Sequence, residues 1–289
     1  MRDRAVRSTM ANSALSTVLW CRRTGGAGWD PLSHASPALE STGDRHETTS
    51  VTTTTIALVT GANKGLGRET VRRLAGSGWE VFLGARDPAR GGATVAELAE
   101  QGVRARLVTL DVTSDESVAA AAATVRAATG RLDVLVNNAA IGGPSTPPAA
   151  TRADEVRRVL DTNVLGPIRV IHAFLPLLRA SDHPRIVMVS SGMGSITTVT
   201  DPKWTDLVRP ELGYSTSKAA LNMLTAMYAG ALGGVHINAV DPGYTATDLT
   251  GNTGFQTVSQ GAEIIIDLAS IGPDGPTGGF FDRNGTARW

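Results

Sequence analysis

The sequence predicts an α/β protein, a single doubly wound parallel sheet with helices on both faces that begins near residue 51. Three observations predict it. Short, nearly continuous apolar runs rich in Val, Ile and Leu recur from IALVT (56–60) onward; such runs mark strands covered on both faces. Amphipathic stretches of helical length lie between them. A glycine-rich turn follows the first run at once, where a strand should feed a helix. Alternation of this kind closes into a parallel sheet through right-handed crossovers.

The elements follow in order. Strands are expected at 56–60, VFLGA (81–85), RLVTL (106–110), DVLVNN (133–138), RIVMVSS (185–191) and VHINAV (235–240). The tail GPTGGFFDRNG (275–285) reads as a last strand with its flanking turns. Helices are expected over 66–77, 89–101, 114–129, 152–180 and 214–232. Asp87 before Pro88 is an N-cap and first-helical-position pair, which starts the second helix. Residues 197–213 carry Pro202, Trp204 and Pro210 and are expected to form a long loop. Residues 1–50 differ: Ser, Thr, Gly and Pro dominate from Thr24, and no helical or strand period persists. That composition predicts a disordered extension ahead of one domain over 51–289. Asp3 and the weak apolar stretch 14–20 argue against a transit or secretory signal.

Composition excludes several classes. Lys and Arg balance Asp and Glu at 27 each, so there is no basic field for nucleic acid or an anionic membrane. The one cysteine, Cys21, cannot form an internal disulfide, and a cytoplasmic location is expected. The five histidines are scattered without ligand spacing, so no metal site is expected. No apolar run is long enough for a membrane span.

TGANKGLG (60–67) is the first motif with chemistry. Gly61, Gly65 and Gly67 allow a tight turn and close approach to a pyrophosphate, and the helix that follows offers free N–H groups at its positive end. Asn63, Lys64 and Leu66 lie within the same turn. The plain alternative is a tight loop, but the strand–turn–helix setting favours a dinucleotide site of Rossmann type. An acid closing the second strand would mark NAD. Ala85 stands there instead, flanked downstream by Arg86 and Arg90. Two guanidiniums beside the ribose suit a 2′-phosphate; otherwise they are two surface arginines. Asp111, with Val112 beside it, ends the third strand in reach of an adenine edge. Asn138 and Ala139 end the fourth, where strand termini face the ligand crevice.

YSTSK (214–218) sets Tyr214 and Lys218 at i and i+4, on one helix face. A fixed ammonium beside the phenol is expected to lower its pKa toward neutrality, which makes Tyr214 a proton donor or acceptor. A core tyrosine with a surface lysine is the unremarkable alternative. Ser190 and Ser191 close the fifth strand, with both hydroxyls expected in the crevice. Asn163 lies four residues before Pro167, which has no N–H. Its carbonyl must find another partner, such as water, unless the helix is merely kinked.

TGANKGLG, LDVT, NNAA, the Asn163 helix, VSSGMG, YSTSK and VDPGYTATDL occur in the order seen in short-chain dehydrogenases/reductases, and the chain resembles that family over nearly all of 56–249. NKGLG with GARDPARG looks most like the NADPH-preferring carbonyl-reductase branch. The resemblance implies hydride transfer between NADP(H) and a carbonyl or alcohol, with Asn163, Ser191, Tyr214 and Lys218 as the tetrad. By it Ser191 bonds the substrate oxygen, Tyr214 transfers the proton, and Lys218 binds the nicotinamide ribose and tunes the tyrosine. Asn163 holds a water that relays protons to Lys218. Pro242, Gly243, Thr245 and Thr247 cradle the nicotinamide. Ala140 departs from the usual glycine of the fourth-strand motif. Ser191 and Tyr214 are separated by about ten residues more than in the compact pattern. In the carbonyl-reductase branch such an insertion accompanies a monomeric state, so monomer and homo-oligomer both stay open. A catalytically silent NADP-binding sensor would typically have lost part of the tetrad. A nucleotide-sugar epimerase or dehydratase would carry TGxxGxxG and a larger C-terminal domain. Val51 and TTTT resemble the family's short lead-in, so residues 1–50 are expected to be either a tail or an upstream mis-assigned start.

Overall fold

The computed structural model describes residues 54–205 and 211–289. The expected extension over residues 1–50 lies outside the described residues, as do positions 206–210 of the expected loop. Seven parallel strands form one sheet in the order β3-β2-β1-β4-β5-β6-β7, and an antiparallel β8 completes the edge. The strands are β1 (Ile56–Val59), β2 (Glu80–Ala85), β3 (Arg106–Thr109), β4 (Val134–Asn137), β5 (Arg185–Val189), β6 (His236–Val240), β7 (Phe280–Asp282) and β8 (Gly285–Thr286). Every expected strand is present; most are shortened by one or two residues at their ends, whereas β2 begins one residue earlier, at Glu80.

Alternating side chains explain why the apolar runs are continuous. Ile56 and Leu58 of β1 enter one buried cluster with Val118, Val125, Phe174 and Leu178. Ala57 and Val59 enter the other, with Val71, Leu74, Ile265 and Leu268. A strand with helices on both faces has no solvent side to be polar on. The first cluster is closed by α3 (Asp115–Thr129) and α5 (Gly166–Leu178). The second is closed by α1 (Gly65–Gly76) and α9 (Val258–Ala269). α2 (Pro88–Glu100) begins where expected: the Asp87 side chain accepts the N–H groups of Ala89 and Arg90, and Pro88 is the first helical residue.

The structure differs from expectation at three elements. The single helix expected over 152–180 is α4 (Ala153–Leu160), a π-helical turn (Asp161–Leu165) and α5. Pro167 cannot donate to the carbonyl four residues back, and the chain widens by one residue: Gly166 N–H reaches the Asp161 carbonyl, five back. The expected loop after 196 contains two one-turn helices, α6 (Ile196–Val199) and α7 (Pro202–Thr205), before α8 (Leu212–Ala231). Helix α9 was not expected. Its signal was present as a capping box, in which Thr257 caps Gln260 N–H and the Gln260 side chain returns to Thr257.

Candidate active site

Strand order reverses beside β1, whose neighbours are β2 and β4. A doubly wound sheet opens its ligand crevice at such a switch point, beyond the carboxyl ends of the strands. The TGANKGLG turn lies there. Gly61 has φ +62°, and a Cβ on it would stand 2.8 Å from Ala139 Cα, so only glycine lets the turn close onto the end of β4. Asn138 Nδ2 donates to the carbonyls of Thr60 at 2.8 Å and Gly61 at 3.1 Å. The Thr60 hydroxyl accepts the N–H groups of Asn138 and Ala139, both at 3.0 Å. Asn138 and Ala139 therefore brace the nucleotide turn. The Asn63 carbonyl accepts the Thr94 hydroxyl at 2.9 Å, which ties the same turn to α2.

Helix α1 opens at this turn without a cap. Lys64, its N-cap residue, makes no side-chain capping bond, and the first turn through Gly65, Leu66 and Gly67 holds no acid. The neighbouring helices α2 and α3 are capped by Asp87 and Ser114. An uncapped positive helix end at the switch point has the chemistry of a phosphate site. Lys64 Nζ pairs with Asp248 at 2.7 Å, linking this turn to the loop after β6. Arg86 and Arg90 follow β2. Both are exposed, and Arg90 Nε lies 3.5 Å from Asp87. Asp111 follows β3; its Oδ1 accepts from the N–H and hydroxyl of Thr113. Val112 is buried against Gly166, where a Cβ would approach its Cγ2 to 2.9 Å.

The second half of the site is built by α8, the end of β5 and the π turn. Tyr214 and Lys218 share a face of α8, with the Lys218 ammonium 5.5 Å from the phenol ring centroid. Lys218 is buried and donates to the Val189 carbonyl at 2.7 Å. The Tyr214 hydroxyl hydrogen-bonds the Ser191 side chain. Asn163, 1% exposed, sits in the π turn. Its Oδ1 accepts from Ile141 N–H at 2.9 Å, and its Nδ2 donates to the Ile141 carbonyl at 2.9 Å and to Ser217 Oγ at 3.0 Å. Ser217 passes its own proton to the Tyr214 carbonyl at 2.7 Å. All four tetrad candidates thus meet around the start of α8.

Beyond β6, Pro242 and Gly243 turn the chain. Gly243 has φ +74°, and a Cβ on it would collide with the Gln256 side chain. The Thr245 hydroxyl bonds back to the carbonyls of Pro242 and Gly243, and the Thr247 N–H donates to the Thr250 hydroxyl at 3.1 Å across the short turn Asp248–Thr250. Gly65 faces Thr247 Cγ2 across 3.5 Å from its would-be Cβ. The nicotinamide candidates and the nucleotide turn therefore border one crevice.

Two expectations are corrected. Ser190 does not face the crevice: its hydroxyl is buried against Asn222 Oδ1 and the Lys218 carbonyl, and only Ser191 turns toward Tyr214. The phenol is not lowered toward neutrality. Burial, aided by the carboxylates of Asp241 and Glu211, pushes Tyr214 up to about 12, and the Ser191 hydrogen bond offsets only part of it. Lys218 is pushed down to about 8 by burial, with Asp241 opposing the shift. Desolvation exceeds the effect of an ammonium turned to a carbonyl rather than to the phenol oxygen. Two residues escaped the sequence reading. Gln256, buried beneath Gly243, pairs its backbone with Tyr244 and Ala246 and folds the loop back. Asp241 sits between the two turns; its signal was an acid closing a strand directly before Pro242-Gly243.

The short chain dehydrogenase family profile matches residues 55–257. The (+)-neomenthol dehydrogenase of Capsicum annuum is 30% identical over an alignment spanning 80% of this chain and 96% of that one. Carbonyl reductase [NADPH] 3 of Rattus norvegicus is 32% identical, spanning 76% and 92%. Among solved structures, the NADPH-bound carbonyl reductase from chicken fatty liver superposes with a TM-score of 0.73 at 29% identity, covering 82% of this chain and 99% of its own. The chain belongs to the short-chain dehydrogenase family of oxidoreductases.

Proposed function

We propose that the protein is an NADP(H)-dependent carbonyl reductase acting on a small molecule, with Tyr214 as general acid. The observation that carries this reading is the Ser191–Tyr214 hydroxyl pair beside the Lys218 ammonium at the mouth of the crevice. A carbonyl oxygen taking the place between the two hydroxyls receives one hydrogen bond from Ser191 and a proton from Tyr214. The cofactor, when bound, supplies the hydride. A phenol held near 12 is protonated at neutral pH, the form that can give a proton to a carbonyl oxygen. Asn163 positions the start of α8 through Ser217, and Lys218 supplies charge beneath the phenol ring.

The residues present fit a dinucleotide. The uncapped N-terminus of α1 would take the diphosphate, Arg86 and Arg90 a 2′-phosphate, Asp111 and Val112 the adenine, and Pro242, Gly243, Thr245 and Thr247 the nicotinamide. The rat carbonyl reductase is named for NADPH and the chicken enzyme binds it, which supports the same choice. The segment 197–213 and the loop 244–257 together carry both signs of charge in sequence, and Asp248 of the latter is already paired with Lys64. They form no basic surface for a phosphorylated or acyl-carrier substrate, which favours a small carbonyl compound. A cytoplasmic location accords with the single cysteine, and no helix among the described residues is long and apolar enough to cross a membrane. Oxidation of NADPH and NADH against aldehydes, ketones, quinones and steroids tests the proposal. Turnover with NADPH on at least one neutral class supports it. A preference for NADH on every substrate, or no turnover on any, contradicts it.

A further inference from the structure

We propose that Asp241 is a positioning residue of the reaction centre: its carboxylate clamps the Ser191–Gly192 turn to the Pro242–Gly243 turn and lies within electrostatic reach of the Lys218 ammonium. Asp241 follows β6, and its own N–H is anchored on the Phe281 carbonyl of β7 at 2.7 Å. From that fixed point Oδ1 accepts Gly243 N–H at 3.0 Å. The carboxylate also accepts the N–H of Gly192. A Cβ on Gly192 would stand 2.8 Å from Asp241 Oδ2, the nearest atom outside the adjoining residues. Glycine at 192 is therefore what lets the carboxylate reach the serine turn. One side chain thus fixes the distance between the hydroxyl that would bind the substrate oxygen and the turn that would hold the nicotinamide.

The carboxylate also acts as a charge. Helix α8 brings Lys218 and Tyr214 within its electrostatic reach, and β7 brings Asp282; Glu211 at the start of α8 acts on Tyr214. The turn after β5 brings hydroxyls and glycine but no charge. Burial and Asp282 push the Asp241 carboxyl up, whereas the two backbone donors and Lys218 favour its ionised form. Ionised, it holds the Lys218 ammonium charged and the Tyr214 phenol protonated. An ordinary turn-forming Asp would do neither, and asparagine would replace it at no cost to the pH profile.

The inference rests on the proposed tetrad, so each half is tested separately. For the charge, kcat/KM of the parent and Asp241→Asn is followed against pH. The variant should lose activity at lower pH, its alkaline limb displaced by about one unit as Lys218 gives up its proton earlier. Superimposed profiles overturn this half, because they mean that Asp241 is already neutral or too distant. A parent without turnover would instead defeat the proposed function. For the clamp, a thermal-stability cycle of Gly192→Ala and Asp241→Ala needs no activity. Gly192→Ala should lower Tm by about 3 °C or more in the parent and by much less beside Asp241→Ala. Additive shifts overturn the clamp.

Discussion

Asn163→Asp isolates the hydrogen bonds that hold α8 over the crevice. The exchange keeps size and shape but removes both donors on Nδ2. Ile141 O, at 2.9 Å, and Ser217 Oγ, at 3.0 Å, lose their donor. Ser217 cannot adapt by turning its hydroxyl, because its only proton already lies on the Tyr214 carbonyl at 2.7 Å. The new oxygen faces two acceptors, and Asn163 is 1% exposed, so water does not substitute. Each acceptor left unsatisfied in a buried site costs about 1–3 kcal/mol, which makes the pair roughly 2–6 kcal/mol. For a domain of this size about 1 kcal/mol lowers Tm by roughly 2–4 °C. Thermal unfolding followed by circular dichroism at neutral pH should therefore show a loss of about 4 °C at the least. Protonation of the introduced carboxyl restores one donor, so the deficit should shrink in acid. A Tm within about 2 °C of the parent at neutral pH would refute the bridging role.

Other outcomes follow from the same geometry. Replacing Arg86 and Arg90 together with alanine should weaken NADPH binding about tenfold to a hundredfold and leave NADH nearly unchanged, measured by fluorescence titration; equal losses would show that neither guanidinium meets a 2′-phosphate. Lys218→Ala should lower both turnover and NADPH affinity. Because burial holds the ammonium near 8, parent activity should fall as pH rises through that value; a profile flat to pH 10 would be inconsistent with a required ammonium. His183 has its imidazole held below the usual value by burial, Arg185 and His236, with a backbone hydrogen bond at Gly272 opposing the shift. The neutral ring is favoured in the folded state. Its contribution to stability is thus complete above the unfolded value of about 6.5 and is lost as pH falls through the depressed folded value. His183→Gln should flatten that acid-side decline in Tm, and an unchanged slope would assign the decline to other groups.

Residues whose surroundings are local in sequence were legible from it. The strand runs, the Asp87–Pro88 helix start and the Tyr214–Lys218 face each depend on neighbours within a turn or two. Pro167 even announced a disturbed helix, although the outcome, a π turn that swings Asn163 inward, depended on what Ile141 and Ser217 offered from elsewhere. What stayed hidden is set by tertiary environment. In VSSG the family resemblance singles out Ser191, but residue type alone does not say where Ser190 points, and the packing of Asn222 turns it away. The phenol shift was misjudged because a spacing of four residues shows that the ammonium is near but not that its hydrogen bond goes to Val189. Asp241 was passed over because its two donors come from separate turns, Gly192 and Gly243, that meet only in the folded chain.

The central claim is that Tyr214 delivers the proton to a carbonyl reduced by NADPH. It is tested most directly by Tyr214→Phe, measured for NADPH binding and for NADPH oxidation on a substrate the parent reduces. The phenyl ring keeps the packing on α8 and loses only the hydroxyl that bonds Ser191. NADPH affinity should be retained while turnover falls by about 10²–10⁴, the usual loss for a removed general acid. Turnover at the parent rate, with binding intact, would contradict the account and place the acid elsewhere.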